Sequence, residues 1–216
     1  HDNFKCILID DMSTDRTVNI IEELIQGDDR FTLHRKKEKC FALKNIHDAL
    51  ESSDLEDEDV VILLDGDDWF SSSKTLSALN DIYKHDYLVT YGSYIMYPYG
   101  VLGPEPSEYP KDVVEKNLYR EDRWRASHLR TFKYHLWRKI KVEDLKNEEG
   151  DFYTVAYDQA IMLPLLEMSG DRVKYVDSVL HVYNRENPLN VDKVKTLRQK
   201  QTAELIRQKE KYERIS

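Results

Sequence analysis

Residues 60 to 70 read VVILLDGDDWF: five apolar residues run straight into three carboxylates, Asp65, Asp67 and Asp68, with Gly66 between the first two. A short apolar run of this kind is a strand covered on both faces. A carboxylate taken out of water without a partner costs several kcal/mol, roughly the desolvation penalty of an ion in protein. The strand must therefore end where its acids meet solvent or a counter-charge. In an open α/β sheet that place is the crevice at the carboxyl ends of the strands, where ligands bind. A second run, ILIDD, ends in the same way at Asp10 and Asp11. Like charges in one crevice call for a cation, and hard oxygen ligands suit magnesium or manganese. Gly66 allows backbone and ligand to approach closely. The nearby DLEDED (54–59) reads as a solvated turn.

The surrounding pattern supplies the sheet. FKCILID (4–10) is a strand. A helix through Ile25 follows, capped by Ser13, with Val18, Ile21 and Ile25 on one face. FTLHR is a short strand, and residues 40–51 form a helix with Leu43, Ile46 and Leu50 aligned. The strand 60–64, a helix near 74–84 (Leu76, Leu79, Tyr83) and a strand over 87–97 complete the first half. This rhythm predicts a mainly parallel sheet flanked by helices. Residues 98–126, with four prolines and two glycines, should be mostly loop. Residues 127–137 fit helix or strand. The segment 157–168 is helical, with Pro164 either in its first turn or at a kink. Residues 173–183 form a strand. The charged tail from Asn190 reads as a helix on the domain edge, with Val191, Val194 and Leu197 as its stripe.

The chain has 216 residues and a net charge of −9, its acids spread throughout. A core of ordinary size is within reach, and a nucleic-acid partner is disfavoured for want of a basic face. A phosphate-bearing small molecule stays compatible if a metal ion mediates. Cys6 and Cys40 form no spaced framework, no signal peptide is seen, and no apolar run reaches the roughly 20 residues of a membrane span. These features predict no transmembrane segment and a reducing, cytoplasmic compartment, with peripheral attachment at a membrane face left open.

DDMSTDRT (10–17) resembles the Asp-Asp-x-Ser-Thr-Asp-x-Thr segment of family 2 glycosyltransferases with the GT-A fold, and LLDGDDWF resembles their Asp-x-Asp motif. YDQAIMLPLLEMSG falls where that family carries its base. The resemblance covers roughly residues 3 to 185. It implies a GT-A-like, Rossmann-type sandwich, with a nucleotide-sugar-binding half (1–97), an acceptor and catalytic half (98–185) and a C-terminal helical extension (186–216). The strand and helix with which the family opens are not in this sequence, which implies an N-terminally incomplete copy.

The same resemblance implies roles. Asp10, Asp11, Ser13, Lys39 and Asp65 would bind the donor, a nucleotide-diphosphate-sugar of UDP type. Asp67, with Asp65, would hold Mn²⁺ or Mg²⁺ on the diphosphate. Asp158 would be the general base that activates a hydroxyl of a saccharide or other acceptor, giving inversion. Asp68, His128, His181 and Arg130 are additional candidates for the metal or diphosphate, and residues 98–126 a candidate acceptor-side lid. Plainer readings stand beside these. Asp11 and Ser13 could cap a helix, Asp68 a turn and Asp158 its own helix. Lys39 could be solvated, the histidines structural and Arg130 ion-paired. Trp69, Tyr94 and Trp124 could stack on sugars or fill the core.

Other classes compete. ILLDGDDW imitates the opening of haloacid-dehalogenase-type phosphatases, but Trp69 stands where those carry Thr or Val. A receiver domain needs about half this length. A calcium or interaction module lacks the EF-hand spacing. Nucleotidyltransferases share the sheet but open on a glycine-rich loop.

Overall fold

The computed structural model of the protein describes residues 3–187 and 196–215. The chain divides into two compact units, His1–Asp54 and Leu55–Ser216.

In the first unit β1 (Cys6–Asp10) pairs in parallel with β2 (Phe31–Arg35), Asp10 lying opposite Arg35. Helix α1 (Thr17–Ile25) connects them and α2 (Phe41–Ser52) follows, with Val18, Leu43 and Leu50 buried. Ser13 does not cap α1. The Asp15 carboxylate takes that role, accepting the Thr17 N–H at 2.9 Å and its hydroxyl at 2.6 Å. Ser13 instead donates its backbone N–H to Asp10 Oδ1 at 3.1 Å. An Asp-x-Thr turn outcompetes the serine because it satisfies a backbone and a side-chain donor with one oxygen.

The second unit is built on a six-stranded sheet in the order β3 (Val60–Leu63), β7 (Arg130–Lys133), β5 (Val89–Tyr97), β8 (Val173–Asn184) and β4 (Trp69–Phe70), with β6 (Val101–Leu102) also paired to β5. Parallel pairing is found for β1–β2 and β5–β8, while β3–β7, β5–β7, β4–β8 and β5–β6 are antiparallel. The strand–helix alternation that dictates parallel pairing stops at β5. The longer connection after it brings β7 in from the opposite end, between β3 and β5. Helix α3 (Thr75–Tyr83) lies between β4 and β5 in the chain and buries Thr75 and Leu79.

The core is gathered around α6 (Tyr157–Ser169), which is buried at every position from Ala160 to Ser169. An apolar surface all round marks a helix enclosed on all sides. Pro164 sits well past the first turn and inside the helix; tertiary burial offsets the backbone hydrogen bond it cannot donate. Residues 127–137 use both of their propensities in turn, as β7 and then α5 (Tyr134–Trp137).

Residues 98–126 are less free than expected of a lid. Helix α4 (Lys111–Glu115) interrupts them, and Tyr109, Val113, Tyr119, Arg120 and Ala126 are buried. Nearer β6, Gly103 packs so tightly on the Tyr94 ring that a Cβ there would lie 2.0 Å from it. The tail also differs from its expected stripe. Val191 and Val194 lie outside the described residues, and Leu197 of α7 (Thr196–Gln208) is 71% exposed. Ile206 is the buried anchor, and the tail docks through polar bonds to Arg120 and Glu167. Among the described residues no helix is long and apolar enough to cross a membrane.

Candidate active site

In the second unit β3 delivers the acids. The chain turns directly after it, the Asp68 N–H bonding back to the Asp65 carbonyl at 3.0 Å. This tight turn gives the three carboxylates different fates. Asp68 is buried: its Oδ2 lies 2.8 Å from His181 Nε2, and its Oδ1 accepts the Asn184 N–H at 2.9 Å. Both oxygens thus tie the turn to β8. Asp67 stays half-buried and takes one side-chain bond, from Asn187 Nδ2 at 2.6 Å. Burial pushes its carboxyl above the ordinary range, and the charges of Asp68 and Asp65 push the same way against that hydrogen bond. A divalent cation is the partner that would relieve it. Asp65 is partly open, with its side chain 37% exposed.

Strand β7 and the start of α6 meet Asp65 from another direction. Arg130, opposite Leu63 in the sheet, is only 3% exposed. Its Nη1 lies 3.5 Å from Asp158 Oδ2 and its Nη2 3.8 Å from Asp65 Oδ2; Nη2 also donates to His128 Nδ1 at 3.1 Å. Tyr157 donates its hydroxyl to Asp65 Oδ1 at 2.6 Å. Asp158 stands in the first turn of α6, entered through Ala156 at a left-handed φ of 52°. Burial pushes the Asp158 carboxyl upward, and Arg130 pulls it part of the way back. A carboxylate in that state is a better proton acceptor than one in water.

Arg130 was a candidate diphosphate clamp. Its burial and its three neighbours make it an internal cation instead. His128 and His181 are likewise turned inward, their rings stacked at 4.6 Å and 14°. Burial, the Arg130 charge and His181 hold His128 well below the usual imidazole range, so it is a neutral acceptor. Asp68, His128 and His181 do bring three donor atoms within 4.8 Å of one another. Stacked rings, however, direct their lone pairs along parallel planes, so both cannot point at one ion without a ring turning. Asp67 and Asp65, on the same turn, are the alternative carboxylate donors.

The first unit organises its acids differently. Asp10 is buried at the end of β1. Asp11 accepts the backbone N–H groups of Cys40 at 2.8 Å and Phe41 at 2.9 Å, and Lys39 Nζ is 3.2 Å away. Burial alone would raise the Asp11 carboxyl; the bonds from Cys40, Asn45, Lys39 and Phe41 outweigh it and hold the group low. Asp11 thus caps α2, not α1. Lys39 is partly tethered, since it also donates to the Asp11 carbonyl at 2.9 Å. Met12 and Phe41, at φ of 69° and 63°, are strained on either side of this contact. Strain of about 1–3 kcal/mol at such residues is a recurring mark of functional turns.

Sequence reasoning missed Tyr157 and Asn187. Each binds an acid more than 90 residues away in the chain, and no periodicity reports such a contact. The aromatics divide: Tyr94 is buried, Trp124 half-buried, and Trp69 is 41% exposed, meeting Tyr97 edge-on at 5.3 Å.

The family model described as "Glycosyl transferase family 2" matches residues 1–145. No curated protein matches. Among solved structures, TarS 1-349 of S. aureus superposes with a TM-score of 0.59 at 19% identity, over 84% of this chain and 51% of that one. Its complex with UDP-GlcNAc gives 0.59 at 15%, over 84% and 50%. The mannosyltransferase PcManGT from Pyrobaculum calidifontis, in complex with GDP-Man and Mn²⁺, gives 0.52 at 18%, over 86% and 48%. These likenesses share the fold, and the chain spans about half the length of each of these structures.

Proposed function

Because the chain belongs to glycosyl transferase family 2, we propose that it moves a sugar from a nucleotide-diphosphate-sugar donor to a hydroxyl acceptor, with inversion at the anomeric carbon. Asp158 removes the acceptor's proton as attack proceeds. Asp67, with Asp65, holds a divalent metal, whose chemistry when bound is to neutralise the departing nucleoside diphosphate. Asp11, Lys39 and Ser13, with Asp10 behind them, serve the nucleoside end of the donor. Asp65 also serves the donor, and Arg130 lies between it and Asp158.

The observation that carries this reading is the pairing of Asp65 and Asp158 about one buried guanidinium. A carboxylate on the acid turn and a second one, raised by burial, at a helix start are thereby brought to the same spot. That is the arrangement a donor-side ligand and a base require. The complexes of the similar structures with UDP-GlcNAc and with GDP-Man and Mn²⁺ support a nucleotide-sugar and manganese as the first probes.

The test is release of nucleoside diphosphate from UDP- and GDP-sugars with Mn²⁺ present, for the parent chain and for Asp158→Asn. The reading expects turnover by the parent, and about 10²- to 10⁴-fold less by the variant, the usual contribution of a positioned base. Normal turnover by Asp158→Asn would remove that residue as base. Hydrolysis of a phosphomonoester in place of a nucleotide-sugar would move the chain to a phosphoryl-transfer class.

A further inference from the structure

Arg130 is the only cation that bridges the acid turn and the start of α6 among the described residues, and it is incompletely bonded. A guanidinium has five N–H donors, and burying one is tolerated only when its partners are close. Here the distances to Asp158 and Asp65, 3.5 Å and 3.8 Å, are those of ion pairs, not of closed hydrogen bonds. Nε is buried with no partner at all. Only the bond to His128 Nδ1, at 3.1 Å, is of ordinary length.

Tyr157 completes the group. Its hydroxyl binds the Asp65 oxygen that Arg130 does not face, and its ring centroid lies 5.9 Å from the guanidinium carbon. It is also the residue directly before Asp158. The two oxygens of Asp65 are therefore addressed from one side by β7 and from the other by the first residue of α6.

We propose that Arg130 and Tyr157 are positioning residues that hold the Asp158 carboxylate in register with Asp65, so that base and donor carboxylate move as one piece. The inference rests on the reading of Asp158 as the base. It assigns neither residue a contact with substrate. A loosened register leaves the donor bound and misplaces the base, and misplacement by about 1 Å can cost on the order of a hundredfold in rate. The effect should fall on kcat and spare donor affinity.

The experiment uses the full chain and the variants Tyr157→Phe, Arg130→Lys and Arg130→Met. UDP and GDP affinity is measured by titration calorimetry with Mn²⁺, and kcat from nucleotide-sugar turnover. Expected are kcat losses of roughly tenfold for Tyr157→Phe and Arg130→Lys and roughly a hundredfold for Arg130→Met, with nucleotide affinity within about threefold of the parent. Tyr157→Phe keeps the ring and deletes one oxygen, so it preserves the test if Arg130→Met does not fold. Parental kcat in both Tyr157→Phe and Arg130→Lys, or a loss confined to nucleotide affinity, overturns the proposal. A parent chain that neither binds nor turns over any nucleotide-sugar overturns the proposed function instead, which separates the two failures.

Discussion

Asp158, as the proposed base, would set opposed demands on stability and activity. Burial raises its carboxyl and Arg130 only partly compensates. Its folded pKa therefore lies above the value of 3.8 it has when unfolded. Above that folded pKa the ionised group costs the folded state free energy. As pH falls through the raised value toward 3.8, the folded state takes up the proton first and gains stability. With Asp158 as the proposed base, turnover should move the other way, because a base must be ionised: acidification would silence it at a higher pH than it would an unperturbed carboxylate. Asp158→Asn should thus combine the loss of turnover with a Tm no lower than the parent's. A clear drop in Tm would mean that the charge, not the burial, dominates at this position.

At the scale of elements, α2 depends on a carboxylate thirty residues upstream. Asp11 supplies the acceptors for the first N–H groups of that helix, as a good N-cap does. Asp11→Ala should cost about 1 kcal/mol in urea unfolding at neutral pH. The folded pKa of Asp11 lies below its unfolded value of 3.8, so its contribution is complete above 3.8 and fades as pH falls through the lower folded value. The gap between parent and variant should therefore narrow in acid; a gap independent of pH would exclude the carboxylate as the cap.

The same example marks what the sequence makes legible. The apolar runs at 4–10, 60–64 and 87–97 specify strands through their continuous apolar pattern, although β1 and β3 are half-buried and only β5 is covered along most of its length. The helices over 41–52 and 75–83 follow from their stripes within a residue or two of their ends. The acids at both strand ends are visible for the same local reason. What binds them is not, because Phe41, Tyr157, Arg130 and Asn187 reach them across the chain. The antiparallel entry of β7, and the burial of Tyr109, Val113, Tyr119, Arg120 and Ala126, likewise depend on tertiary placement that local pattern does not encode.

At the scale of the whole molecule, the charged tail is part of the Leu55–Ser216 unit. Arg120 Nε and Nη2 bind the two Glu167 oxygens at 2.5 and 2.9 Å, and its Nη1 binds the Ile206 carbonyl at 2.7 Å. The Tyr212 N–H adds a further bond to Glu167 at 3.0 Å. Arg207 then reaches Gln159, the neighbour of Asp158, at 2.9 Å. The Arg120–Glu167 pair is essentially dry, with side chains 4% and 0% exposed. Removing one partner strands a charge, so Arg120→Met should cost about 3–5 kcal/mol. Arg120→Met with Glu167→Met should cost distinctly less, since no charge is left alone. Equal losses in the single and double variants, read by denaturant unfolding, would show that packing and not charge pairing holds the tail.

Above these details stands the claim that the half-buried Asp67 carboxylate belongs to a metal–diphosphate site. Titration calorimetry of UDP and GDP into the parent chain and Asp67→Ala, with and without Mn²⁺, tests it most directly. The account predicts that the parent binds one of the two nucleotides only when Mn²⁺ is present, and that Asp67→Ala loses that binding. Equal affinity with and without the ion, or undiminished binding by Asp67→Ala, would contradict it.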